Sequence, residues 1–377
     1  VGQDITTEIE NALSDGKNVF LVGNSATLNK KISVNGFNKI YGSGVVLSAS
    51  TEFTDEYLIE LTNNKESVNL HASRTAIVGV DLNCNNKCSG ILISGNQCCV
   101  IDLTITGVKN NGVGIESNGL NTLISCVDII GGLSGVMKYA INLLSSDNYL
   151  SCVNTWYSTI GINCGEYSPG NIMENIHVLA YESTEYAWDN SIGILFNAGM
   201  QKLTNIYCDN FKTAIKVINE NCTVGLFNLN VYCWEYKNTA KRICIESGTS
   251  TPKIQIEGIS FPNNNKYIAF KTSKLYQPAS KNFKITAFPA YLYEVGNYDP
   301  TDAIHSTWVN KFNNYNINFS EQTELPVILI NTSLFSDVTM EKVKYTIIGN
   351  NFAIKDIIVR ADWNNNIVVV DWGTLVG

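Results

Sequence analysis

Carboxylates, one histidine and aromatic side chains gather in one stretch of this 377-residue sequence, between Asn154 and Lys241. Two segments in it, AYESTEYAWDNS from Ala180 to Ser191 and CWEYKNTAK from Cys233 to Lys241, carry Tyr181, Glu182, Glu185, Tyr186, Trp188, Asp189, Trp234, Glu235 and Tyr236. Around them lie Asn154, Trp156, His177, Tyr207, Asp209, Asn230 and Tyr232. Aromatic faces stack on sugar rings, and carboxylates hydrogen-bond hydroxyls or move protons, so this is the composition of a carbohydrate cleft. Glycoside hydrolysis needs two carboxyl groups, about 5 Å apart for retention and roughly 6.5 to 9.5 Å for inversion. Asp209 is the first candidate for one of them, with Glu235, Glu182, Glu185 or Asp189 as its partner. Trp156, His177, Tyr186, Trp188, Tyr207, Tyr232, Trp234 and Tyr236 are the candidate sugar-binding residues, His177 being placed to orient a carboxylate or to bond hydroxyls. Aromatic loops of this kind also suit a subunit interface.

Other chemistries find less material. Asp81 and Asp128 form a competing carboxylate pair without aromatic company. A polysaccharide lyase needs a base and a cation to neutralise a uronate, and Arg74, Arg242 and Arg360 are the only arginines. CNNKC, from Cys84 to Cys88, has half the spacing of a zinc site but no second pair. His71 and His305 have no suggestive neighbours. No metal and no cofactor is expected, and no phosphate-cradling loop or Ser-His-Asp group can be assembled.

The elements that must position these residues follow from an internal repeat. The pattern apolar-x-(Asn/Cys/Gly)-apolar-x-apolar recurs as IVGVDL, VIDLTI, ISCVDI, LSCVNT, MENIHV, LTNIYC, LFNLNV and IEGISF. Its central residues, Val80, Leu103, Val127, Val153, Ile176, Ile206, Leu229 and Ile259, are 23, 24, 26, 23, 30, 23 and 30 residues apart. A second alternating run follows each one, as in GILIS, GVGIE, AINLL and IGINC. Two short strands per turn at this period predict a right-handed parallel β-helix, whose coils bury a continuous core by stacking about 4.8 Å apart. Residues one coil apart in a column are then near that spacing, and residues two coils apart near twice it, which are the separations the two mechanisms require. Strand alternation turns Asn154 and Trp156, His177 and Leu179, Tyr207 and Asp209, and Asn230 and Tyr232 outward. The column before each central residue, Gly79, Asp102, Cys126, Cys152, Asn175, Asn205, Asn228 and Gly258, reads as an internal ladder of small and amide side chains. Cys126 and Cys152 would lie in adjacent coils, near enough for a disulfide but with parallel side chains that disfavour one.

Hydrophobic residues make up 45% and charged residues 16%, too apolar for disorder and too weakly charged for a coiled coil. The formal charge of −8 removes the attraction for phosphate backbones, so nucleic acid is not an expected partner. No run of eighteen apolar residues and no signal-peptide pattern occurs, so neither membrane insertion nor a leader is expected. What preceded Val1 is open. Eleven cysteines at strand periodicity are expected to be mostly reduced and buried.

The first 48 residues open with DITTEIENALSDG, which sets Ile5, Ile9 and Leu13 on one helical face, with Asp4 as N-cap, Thr7 to Glu10 as a capping box, and Gly16 past the end. NVFLV and a glycine-rich IYGSG corner follow. This helix, strand and corner, joined to the repeat up to about residue 275, resembles the pectin-lyase-like parallel β-helix superfamily, in which a helix covers the open end of the stack. That superfamily includes pectate lyases, polygalacturonases and phage tailspikes. An abundance of Asn and an extra C-terminal β region make the chain most similar to the tailspikes. The resemblance implies a homotrimer in the virion tail that acts outside the cell, binds a bacterial surface polysaccharide such as a capsule or O-antigen, and often cleaves it by endo-hydrolysis. A non-catalytic glycan-binding adhesin, a lyase and a deacetylase on the same fold are the alternatives. The expected organisation is an N-terminal capping segment (1–48), a parallel β-helix (49–275) and a C-terminal antiparallel β module (276–377) for trimerisation or glycan binding. In the last part KVKYTIIG, FAIKDIIVRADW and NIVVVDWG are β-type runs separated by Asn-rich turns.

Overall fold

The computed structural model describes residues 3–62, 74–132, 136–180, 190–219, 222–232 and 242–247, with the backbone of seven further strands between Lys253 and Trp372. It is an all-β chain with a parallel β-helix and, among the described residues, one nine-residue α-helix. Two compact units divide it, the first holding residues 1–202 and 209–211, the second residues 203–208 and 212–377.

In the first unit two parallel sheets grow together. One is built from Ser25–Leu28, Lys39–Ala49, Ala76–Asn83, Cys99–Val108, Leu123–Gly131, Tyr149–Trp156 and Asn171–Leu179 in that spatial order. The other runs Ile32–Val34, Tyr57–Leu61, Ser89–Ile93, Val113–Ser117, Met137–Leu143, Ser158–Cys164 and Ile192–Phe196. Each strand pairs with the next but one in sequence, the signature of stacked coils. The apolar repeat is in register: Val127 pairs with Leu103 and Val153, and Val153 with Ile176. A second interior column runs Leu47, Leu82, Ile105, Ile129, Thr155 and Val178, all buried. Each fully buried aliphatic side chain contributes roughly 1.5 to 3 kcal/mol, so a strictly repeated column fixes both the strand face and the coil register.

The column before the central residues is not an internal ladder. Gly79, Asp102, Cys126, Cys152 and Asn175 have φ between 52° and 67°, and the four with side chains are exposed. Each coil therefore bulges outward at this point, in the left-handed region that Gly, Asn and Asp tolerate best. Asn205 and Asn228 in the second unit share the conformation, and the amide of Asn228 donates to Asn205 Oδ1 at 3.1 Å on the exposed surface. The buried polar ladder of the first unit sits elsewhere, where the turns lead into the first sheet. Asn148 Nδ2 donates to Asn171 Oδ1 (2.9 Å), and Asn171 Nδ2 donates to Gln201 Oε1 (3.1 Å) and to the Ser168 carbonyl (2.7 Å). Asn148 Oδ1 accepts the Thr122 N–H, so four coils are linked by side chains that satisfy turn backbone away from water.

The helix, Thr6–Ser14, buries Ile9 and Leu13, and the Leu13 carbonyl accepts the Asn38 amide at 2.9 Å. Its N-cap position is Ile5 rather than Asp4, which removes the expected capping box. Asp4 instead takes the Thr6 N–H (3.1 Å) and hydroxyl (2.6 Å) on Oδ1 from one residue further out. Gly16, at φ 73°, ends the helix while Lys17 N–H donates back to the Ala12 carbonyl at 3.0 Å.

In the second unit Thr223–Tyr232 pairs in parallel with Lys253–Ser260, and Thr213–Val217, Arg242–Ser247, Tyr267–Thr272 and Tyr293–Val295 form one parallel sheet. Asn316–Asn318, Val343–Ile348, Ala353–Arg360 and Val369–Trp372 form a separate four-stranded sheet in which the last three are antiparallel. No helix among the described residues is long and apolar enough to cross a membrane.

Candidate functional site

On the outward face of the first sheet a polar column crosses consecutive coils of the first unit. Thr104, Asp128, Asn154 and His177 are successive register partners, all half-buried. Thr104 N–H donates to Asp81 Oδ1 at 2.8 Å, and Asn154 Nδ2 donates to Asp128 Oδ1 at 2.8 Å. Asp81 and Asp128, the competing carboxylate pair, are thus each tied to the coil above. Thr104 was not visible as part of this group, although it holds the same outward place in VIDLTI that Asp128 holds in ISCVDI.

At His177 the column meets an aromatic ring and a further carboxylate. Trp156, two residues along the neighbouring strand from Asn154, meets the imidazole edge-on, with ring centres 6.5 Å apart and an interplanar angle of 67°. Asp209 Oδ2 lies 3.9 Å from His177 Nε2. The imidazole side chain is 31% exposed and the carboxylate 10%, so the histidine is the more accessible of the two. Strand alternation turns Asp209 outward, yet both Cys208 and Asp209 are buried, because the strand ends here and the strict in-out pattern ends with it. The Asp209 carbonyl accepts the Ala180 N–H at 3.0 Å, and Asp209 Oδ1 is buried with no hydrogen-bond partner among the described residues. A desolvated carboxylate oxygen is costly unless a ligand or proton meets it.

His177, Trp156 and Asp209 are therefore brought together within the first unit. Tyr207, half-buried, and Tyr232, 40% exposed, belong to the second unit. Glu182, Glu185, Asp189, Glu235, Tyr186, Trp188, Trp234 and Tyr236 lie outside the described residues. Of the arginines, Arg74 is exposed and points Nη1 at Cys99 Sγ (3.6 Å), whereas Arg242 is 2% exposed and closed to a polymer substrate. Cys84 and Cys88 are buried thiols at either end of one tight turn, with Cys88 Sγ donating to the Cys84 carbonyl at 3.8 Å.

No protein-family model and no curated protein sequence matches the chain. Solved structures share its fold at low identity. A mutant tailspike protein of Escherichia coli bacteriophage HK620, in complex with a pentasaccharide, superposes with a TM-score of 0.54 at 9% identity, covering 93% of this chain and 76% of that one. The gp42 tailspike of Acinetobacter phage vb_AbaP_AS12 gives 0.52 at 11% identity, covering 98% and 79%. The enzymatically active domain of tailspike protein 2 of bacteriophage CBA120 gives 0.54 at 11% identity, and the match spans 76% of this chain but only 45% of that one. The fold is that of the phage tailspikes.

Proposed function

We propose that this chain is a phage tailspike polysaccharide depolymerase that binds a bacterial capsule or O-antigen as host receptor and endo-hydrolyses its glycosidic bonds. The observation that carries the reading is the Asp209 carboxylate buried against the more exposed His177 imidazole, beside Trp156 and at the head of an outward polar column. Trp156 offers an aromatic edge and face to a sugar ring, Asn154 and Asp128 offer hydrogen bonds to hydroxyls, and the His177–Asp209 pair moves the proton. The second carboxyl group comes from Glu182, Glu185, Asp189 or Glu235. The first three follow in sequence directly after Ala180, whose N–H is bonded to Asp209.

Support for the wider reading comes from the fold shared with tailspikes, one of them holding a pentasaccharide and one named as an enzymatically active domain. By the same analogy the protein is a homotrimer of the virion tail that acts outside the cell. Hydrolysis is preferred to lyase chemistry because, of the two described arginines, Arg242 is buried and Arg74 lies at Cys99, three coil steps from the His177 strand. Mass spectrometry of the products tests the reaction. Hydrolysis adds water at a new reducing end. An unsaturated end would show a lyase, loss of acetyl mass alone a deacetylase, and intact bound glycan an adhesin, and each of these three would displace the proposal.

A further inference from the structure

The outward bulge shared by seven described coils is a steric demand on residue type, and two of them break it. Left-handed backbone is strained for an ordinary L-residue, a strain that Gly avoids and Asn or Asp reduces. Gly79, Asp102, Asn175, Asn205 and Asn228 obey this rule. Cys126 (φ 56°) and Cys152 (φ 52°) do not, and nothing in the packing asks for a thiol, since both side chains are exposed. The eight other cysteines of the described residues, Cys84, Cys88, Cys98, Cys99, Cys164, Cys208, Cys222 and Cys244, are all buried. The two exceptions are also neighbours: Ser125 pairs with Ser151 and Val127 with Val153, so Cys126 and Cys152 face each other across one coil step. Ser125 Oγ and Ser151 Oγ are 2.8 Å apart, which shows the two coils closely drawn together beside the thiols.

We infer that Cys126 and Cys152 are a surface dithiol, a covalent modification site at which a small-molecule disulfide installs a reversible bond between adjacent coils. The coil step of about 4.8 Å lies within the Cα separation a disulfide spans, but parallel Cβ vectors leave the two Cβ atoms about 1 Å beyond their mean disulfide distance. A bond closed under that constraint forms by exchange and is readily reduced. In the first step one cysteine thiolate attacks a sulfur of the reagent, expelling one reagent thiolate and leaving a mixed disulfide. In the second the other cysteine attacks the protein sulfur of that mixed disulfide. The Cys126–Cys152 bond forms, the second reagent thiolate leaves, and the two thiol protons end on the two released thiols. The cysteines are oxidised and the reagent is reduced by the same two electrons. Burial shields the other eight described thiols from the reagent, and it pushes Cys98 up to about 12 and Cys244 higher still.

The test uses the full chain and oxidised glutathione. The native protein is incubated with excess reagent at about pH 8, where thiolate is present, quenched with acid, digested and mapped by mass spectrometry. The expected result is one peptide pair joined through Cys126 and Cys152, lost on addition of dithiothreitol. Cys126→Asn and Cys152→Asn, which suit the backbone, should each fold normally and carry a single glutathione on the remaining cysteine. Glutathione retained on both cysteines of the native protein, cross-links between chains through them, or two unmodified thiols would each overturn the inference.

Discussion

His177 Nε2 and Asp209 Oδ2 face each other at 3.9 Å, the nitrogen buried although the histidine side chain as a whole is partly exposed, and the carboxylate buried beside it. A carboxylate this near an imidazole can share in one proton transfer with it. In the proposed depolymerase, Asp209→Asn and His177→Ala should each lower kcat by about 100- to 10,000-fold, the usual worth of positioned proton transfer. KM should change little. The double variant should be scarcely worse than either single one, because groups acting as a unit are not additive. Trp156→Ala should mainly raise KM. Steady-state kinetics on a cleaved polysaccharide would check all four.

Asn171 links three coils, accepting from Asn148 and donating to Ser168 and Gln201, at 1% exposure. Truncating it leaves several buried polar groups without partners, each costing about 1 to 3 kcal/mol. Asn171→Ala should therefore destabilise the protein by about 2 to 5 kcal/mol in denaturant unfolding. Asp102→Ala, an exposed change at the outward bulge, should cost only about 1 kcal/mol through its backbone angle.

Thr155 breaks an otherwise aliphatic interior column between Ile129 and Val178, and its Oγ1 is buried without a hydrogen-bond partner among the described residues. Thr155→Val keeps the shape and removes the desolvated hydroxyl. A gain of about 1 kcal/mol is expected in the same unfolding measurement.

Glu60 is pushed up by burial, but Lys31 Nζ at 2.6 Å and the Ser94 hydroxyl at 2.8 Å outweigh this and hold its carboxyl below the usual value. A depressed folded value means that the contribution is fully present above the unfolded carboxyl pKa and is lost as pH falls through the folded one. Lys31→Met should lower the Tm at neutral pH, by an effect on the order of 1 kcal/mol, and the difference from the parent should shrink at about pH 3. Thermal melts of both proteins at the two pH values would show this.

The stack of coils was legible because its driving force is a repeated aliphatic column, and Val80 through Ile259 state that column openly. The outward bulge was visible as a column of Gly, Asp, Asn and Cys but misread, since small and amide side chains serve a buried ladder as well as a left-handed backbone. The ladder itself, Thr122, Asn148, Asn171 and Gln201, mixes three residue types at turns of unequal length and so carries no period. Asp209 and His177 were picked out by residue type and strand position. The burial of Asp209 was not foreseen, because alternation speaks only for the interior of a strand. The long segments after Ala180 and Tyr232 interrupt the repeat, so periodicity does not place their carboxylates and aromatics.

The most direct test compares the parent protein with Asp209→Asn on a panel of purified bacterial capsules and O-antigens, with the products sized by gel filtration. The parent should convert one polysaccharide into discrete oligosaccharides, while Asp209→Asn should still bind that polymer and leave it at full length. Equal cleavage by both proteins, or no cleavage of any polymer that the parent binds, would contradict a depolymerase working through His177 and Asp209.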